Sequence, residues 1–261
     1  MNQSQNGTIY LVGSGPGDPD LLTVKAKKLL MECEALIYDS LVPKELLELV
    51  PATCKSYFVG KKRGKHSVPQ GHTNELLVLM AHRHSCVVRL KGGDPFLFGR
   101  GAEEASYLIE QGIKVEVVPG VTAGIAVPAY FGIPVTHRLG GSSVTFVTGH
   151  EGINKKAPSV NWKMMAKATD GIVIYMGIHN LAFITQELID GGLAPETPSV
   201  AIQQGTVIGQ KFIKSHLKFI AHEVSEKGFI APSIIMIGSA INYQVPECAP
   251  LPANVIMPIP F

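Results

Sequence analysis

The chain is short of cysteine, with 4 in 261 residues. Cys33, Cys54, Cys86 and Cys248 stand singly, and no CxxC pair occurs, which argues against a disulfide framework and against a cysteine zinc site. A reducing compartment fits this usage. Charge of one sign is equally scarce: 23 Lys plus Arg against 21 Asp plus Glu leave a formal +2, too little to point to nucleic acid from the total. No apolar run approaches the roughly 18 residues of a membrane helix, and the start MNQSQ lacks the basic-then-apolar order of a signal peptide. The expectation is a soluble cytoplasmic protein with neither a nucleic-acid nor a membrane partner. No tandem repeat of solenoid period is present.

What is abundant is apolar surface and backbone punctuation. Hydrophobic residues make up 46% and charged ones 17%, which excludes wholesale disorder. The 27 glycines and 18 prolines gather at the ends of β-prone runs, where backbone shape is prescribed. Residues 8–12, 35–39, 55–59, 86–90 and 113–118 read as strands, with helices over 21–34, 44–50, 73–82, 101–111 and 121–131, the last kinked near Pro128. Residues 132–141 have the composition of a linker near the middle of the chain. Beyond it, strands are expected at 143–148, 172–176, 199–203, 211–216 and 233–238, and helices near 180–190 and 217–227. The alternation predicts a parallel or mixed sheet in each of two α/β domains, 1–134 and 135–261, meeting at a cleft.

Three strand-end loops are built from glycine with an adjacent acid or proline, at 13–19, 92–95 and 119–124. Ligands of open α/β sheets sit outside the carboxyl ends of the strands, and glycine lets backbone amides approach them. Any one loop is equally explained as a tight connection; the set of three points to a nucleotide-like ligand. A nicotinamide fingerprint would need glycine at position 18, which is Asp18, so that reading fails. Asp39, ending the second strand, suits a ribose-binding acid, which keeps an ordinary Rossmann-type site open. Neither a P-loop nor a GxSxG elbow occurs, and His82-Arg83-His84 lacks the companions of a metal site, so no metal is assigned. Basic side chains cluster at Lys55, Lys61, Lys62, Arg63 and Lys65, while Arg89, Lys91, Arg100 and Arg138 flank the glycine loops, a pattern suited to a polyanionic small molecule. The interleaved aromatics of a single-strand nucleic-acid platform are missing.

These residues resemble the tetrapyrrole methyltransferases, and within them the branch acting on uroporphyrinogen III. The matching segments are VGSGPGDPDLLT (12–23), YDSLV (38–42), FVGKKRGKHSVPQ (58–70), RLKGGDPFLFGRGAEE (89–104), VVPGVTAG (117–124), GIPVTHR (132–138), FVTGH (146–150) and YMG (175–177). The resemblance implies the two-domain class III methyltransferase fold, a homodimer, and S-adenosyl-L-methionine held in the cleft between the domains. It places cofactor contacts at Pro16, Gly92, Gly93, Asp94, Leu97, Thr122, Ala123, Met176 and, in QQGT, Gly205. Asp39 and Lys61 match positions assigned proton acceptor and donor. Arg100, Glu103 and Arg138 match positions near the tetrapyrrole with substrate-binding or proton-abstracting duties.

The implied reaction methylates carbons 2 and 7 of uroporphyrinogen III, giving precorrin-2 by way of precorrin-1, in the routes to siroheme and cobalamin. A later precorrin methyltransferase and a non-catalytic tetrapyrrole-binding regulator are the alternatives. A fused siroheme-forming or uroporphyrinogen-synthase module is not expected at this length.

Overall fold

Strand alternation in the first part of the chain sorts side chains onto two faces of one sheet. The computed structural model describes residues 6–60, 70–150 and 160–249, and the chain divides into two units, Met1–Thr122 and Ala123–Phe261. In the first, strands β1 (Thr8–Gly13), β2 (Ala35–Tyr38), β3 (Lys55–Phe58), β4 (Cys86–Lys91) and β5 (Lys114–Val118) pair in the order β3-β2-β4-β1-β5. Every pairing is parallel, so all five carboxyl ends lie along one edge. Helices α1 (Val24–Glu32), α2 (Gln70–Ala81) and α3 (Gly101–Glu110) supply three of the four crossovers, and a 3-10 helix between β2 and β3 the other. On one face Leu11, Ile37 and Val87 pack against Leu77 of α2 and Leu108 of α3. On the other, Val12, Leu36, Val88 and Leu90 pack against Ala26 and Leu30 of α1.

Two local expectations change. The helix expected from residue 21 begins at Val24, because Pro19–Leu21 closes a 3-10 turn and Thr23 then caps the helix, its Oγ1 accepting from the Ala26 amide at 3.2 Å. The helix expected over 44–50 is a 3-10 helix, Lys44–Leu49, which buries only Leu46 and has no side-chain cap.

The second unit holds α4 (Ala123–Ala129), β6 (Val144–Thr148), α5 (Trp162–Ala168), β7 (Gly171–Tyr175), α6 (Leu181–Asp190), β8 (Pro198–Gln203), β9 (Lys211–His216), α7 (Leu217–Glu226) and β10 (Ser233–Gly238). Its sheet runs β6-β7-β10-β8-β9 and is mixed: β6 and β7 are parallel, the other pairs antiparallel. Val127 of α4 and Ile133 pack with Val173, Val200 and Met236 on one face, so the expected boundary at 134/135 falls inside this unit. Apolar contact across the sheet decides this, whereas the glycine-proline composition of 132–141 reflects a turn. Helix α5 was not legible from periodicity; Asn161 starts it by accepting the Met164 amide at 3.0 Å, and Trp162 is buried against the other face. Among the described residues no helix is long and apolar enough to cross a membrane.

Candidate active site

Three of the five carboxyl ends in the first sheet carry the glycine loops, and the loops touch one another through backbone. Ser14 donates its amide to the Lys91 carbonyl at 2.8 Å, and Gly15 and Gly93 exchange amide-to-carbonyl bonds of 3.2 and 2.7 Å. The third loop is tied to the second by Asp94, whose Oδ2 accepts the Gly120 amide at 3.0 Å while Oδ1 accepts that of Phe96 at 2.8 Å. A Cβ on Gly13 would lie 2.5 Å from the Gly93 carbonyl oxygen and 2.6 Å from the Gly120 Cα, so this junction admits only glycine. Gly93 itself has φ +66, and a Cβ there would meet nothing within 4 Å. Its bare backbone therefore faces open space at the junction of the loops. Pro16, Gly92, Leu97 and Thr122, the other expected cofactor contacts of this unit, are half-buried along the same loops.

Asp39 follows β2 on the same edge. Its Oδ1 accepts the Leu41 amide at 3.1 Å, and its Oδ2 lies 3.7 Å from an Arg89 terminal nitrogen. Arg89 in turn places Nε 3.3 Å from Glu104 Oε1, and Lys91 Nζ is 3.1 Å from Glu104 Oε2. Arg89, Lys91 and Glu104 are all buried, their side chains 6%, 5% and 1% exposed, so these two cations are committed to internal acids rather than offered to a polyanion. Burial, with Arg89 alongside, pulls the Lys91 ammonium below the usual lysine range, and Glu104 opposes the shift.

Arg100 and Glu103 point outward at the start of α3. Arg100 sits in the left-handed region at φ 58 and grips Glu103 with a fork of 2.6–3.1 Å contacts, both side chains more than half exposed. That hydrogen bond raises the Arg100 guanidinium and lowers the Glu103 carboxyl relative to their ordinary values. Glu103 and Glu104, adjacent in sequence, thus face opposite ways. The sequence motifs do not distinguish Glu104 from Glu103, although Glu104 lies on the helical stripe Gly101, Glu104, Ala105, Leu108 that α3 buries. A carboxylate on that stripe was the available signal.

In the second unit the start of α4 is fixed by Tyr175, whose hydroxyl accepts the Gly124 amide at 2.6 Å. Met176 follows directly, in the left-handed region at φ 54 and 48% exposed. Gly205 backs onto Val127 of α4, where a Cβ would collide with the valine side chain. Ala123, Met176 and Gly205 are therefore gathered around one helix. Arg138 is not among them. It is exposed on a turn in which His137 bonds Gly141 and stacks on Tyr243 with ring centroids 3.7 Å apart. Gly141 backs onto Asp170 at the amino end of β7, whereas Met176 follows its carboxyl end. Lys61 lies outside the described residues. Among those described, no group of three or more His, Cys, Asp or Glu could hold a metal ion.

The family model for Tetrapyrrole (Corrin/Porphyrin) Methylases matches residues 8–221. The chain belongs to this family. Among tetrapyrrole methylases it is 50% identical over 237 residues to a uroporphyrinogen-III C-methyltransferase of Synechocystis sp., covering 91% of this chain and 90% of that one. It is 47% identical to an S-adenosyl-L-methionine-dependent uroporphyrinogen III methyltransferase of Methanosarcina barkeri, covering 90% and 92%. The crystal structure of the uroporphyrin-III C-methyl transferase of Thermus thermophilus complexed with S-adenyl homocysteine superposes with a TM-score of 0.78 at 34% identity, covering 91% of this chain and 100% of that one. The two α/β units are thus those of the tetrapyrrole-methylase fold, and the chain is a methyltransferase.

Proposed function

We propose that this tetrapyrrole methylase transfers methyl groups from S-adenosyl-L-methionine to carbons 2 and 7 of uroporphyrinogen III, giving precorrin-2 by way of precorrin-1. The observation that carries the reading is the knot of glycine loops at the ends of β1, β4 and β5 beside Asp39, in a chain half identical to a named uroporphyrinogen-III C-methyltransferase. The loops fit the cofactor because Gly93 leaves its backbone bare toward open space and Asp94 locks the third loop against the first two. Gly92, Gly93, Leu97, Pro16 and Thr122 would line that cradle, and Ala123, Met176 and Gly205 would contribute from the second unit.

S-adenosyl-L-methionine supplies an electrophilic methyl group on a sulfonium. The protein's part is alignment and exclusion of water, worth up to about 7–11 kcal/mol in favourable cases. After each new carbon–carbon bond forms, a proton must leave the macrocycle, and a positioned base contributes roughly a hundred- to ten-thousand-fold. Asp39 is the acceptor in this reading, and Lys61 the donor. Arg100 binds substrate carboxylates, since a guanidinium is too strongly protonated to act as a base; Glu103 orients Arg100, and Arg138, on its turn at the amino end of β7, is given no part in the reading. The active form is a homodimer in the cytoplasm, its partner molecule a small polycarboxylate and not a nucleic acid or a membrane.

Incubation with methyl-labelled S-adenosylmethionine and uroporphyrinogen III tests the reading. Two labelled methyl groups per precorrin-2 are expected; folded protein that transfers none would overturn it, and transfer only to an already methylated precorrin would assign a later step of the family.

A further inference from the structure

Four charged groups lie together on one face of the first sheet at its carboxyl edge: Asp39, Arg89, Lys91 and Glu104. We infer that Glu104, acting through Arg89, is a positioning residue that fixes the Asp39 carboxylate for proton acceptance. The inference rests on the reading of Asp39 as the acceptor.

Among the described residues, Asp39 has few partners. It stands beyond the last residue of β2, its side chain 24% exposed, with one oxygen on the Leu41 amide and the other 3.7 Å from Arg89, a distance for charge attraction rather than a direct hydrogen bond. The orientation of that second oxygen therefore depends on where the guanidinium is held. Arg89 is braced twice: its Nη1 donates to the Leu90 carbonyl at 3.1 Å, and its Nε to Glu104 Oε1 at 3.3 Å. Glu104 is braced by Lys91 in turn. Two cations and two carboxylates balance, as burial requires.

Packing alone does not call for this arrangement. Lower on the same face the sheet meets its helices through Ile9, Leu11, Ile37, Val87 and Leu108. Apolar residues of similar volume are often as stable as a buried ion cluster, or more so. The charges occur where the strand ends reach the glycine loops, Lys91 being the residue whose carbonyl receives the Ser14 amide. Buried charge partners beside a ligand cradle are what a placed acid or base requires.

A double-mutant cycle on the full chain tests the relay. Glu104→Gln is expected to lower the single-turnover rate of product formation about tenfold or more, with S-adenosylhomocysteine affinity changed less than about twofold. Asp39→Asn is expected to be slower still, and adding Glu104→Gln to it should cost nothing further, since the two act as one unit. Because Glu104→Gln leaves a buried cation in excess, the neutral pair Lys91→Met with Glu104→Gln is measured alongside. That pair should recover thermal stability yet keep the slow turnover. Independent, multiplying effects of Asp39→Asn and Glu104→Gln, or recovery of the rate together with stability in the neutral pair, would overturn the relay. Unimpaired turnover in Asp39→Asn would instead overturn the reading of Asp39 itself, and the relay with it.

Discussion

Gly15 and Gly93 exchange two backbone hydrogen bonds, 3.2 and 2.7 Å long, which join the loops after β1 and β4 as a one-rung antiparallel ladder between parallel strands. Loops otherwise free to move separately become one surface. The third loop is stitched on by Asp94, so all three loops are tied together through their own backbone and one carboxylate.

Two glycines in this surface should fail in different ways. Gly13→Ala forces a Cβ against backbone atoms at 2.5 and 2.6 Å, and is expected to destabilise the protein by roughly 1–3 kcal/mol. Gly93→Ala meets open space but holds φ +66, costing about 1–2 kcal/mol, and its methyl intrudes where the cofactor is proposed to lie. Thermal melts with and without S-adenosylhomocysteine distinguish them: ligand stabilisation should be lost far more completely in Gly93→Ala. Equal ligand shifts in the two variants would place the ligand elsewhere.

Tyr175→Phe removes the acceptor of the Gly124 amide. A loss of about 1 kcal/mol in stability is expected, together with weaker S-adenosylhomocysteine binding measured by calorimetry, because the start of α4 and the adjoining Met176 lose their tether. Unchanged binding would confine Tyr175 to a structural part.

The Arg100–Glu103 pair is exposed, so its contribution to stability is small. Arg100→Leu should leave the melting temperature nearly unchanged while raising KM for uroporphyrinogen III by about tenfold or more, with little effect on cofactor affinity. Parallel losses for both ligands by calorimetry would contradict a substrate-binding role.

Three thiols of the first unit should make its stability fall at alkaline pH. Burial pushes Cys86 up to about 11 from 9.0, and raises Cys33 and Cys54 as well. A raised folded value means the neutral thiol is favoured in the folded state. The contribution is complete below pH 9 and is lost as pH rises toward 11 and beyond. Melting temperatures at pH 8 and pH 10 check this, and Cys86→Ala should flatten the decline. At neutral pH, iodoacetamide should label the exposed Cys248 and spare the other three.

The amino-acid sequence by itself determined the alternation of strands and helices, the three glycine loops and the family. Each is written in local terms: apolar period, glycine placement, and motifs such as GGDPFLFGRGAEE that are read along the chain. It did not show α5, where one capping asparagine and one buried tryptophan matter more than period, nor that residues 123–134 pack with the second sheet. The four basic residues that flank the loops look alike in sequence, but Arg100 and Arg138 are exposed while Arg89 and Lys91 turn inward. Tertiary structure alone decided that Glu103 faces solvent and Glu104 the core, because one residue's step around a helix carries a side chain about 100° and so from one surface to the other. Only the packed sheet brings Glu104 to Arg89, and Arg89 to Asp39.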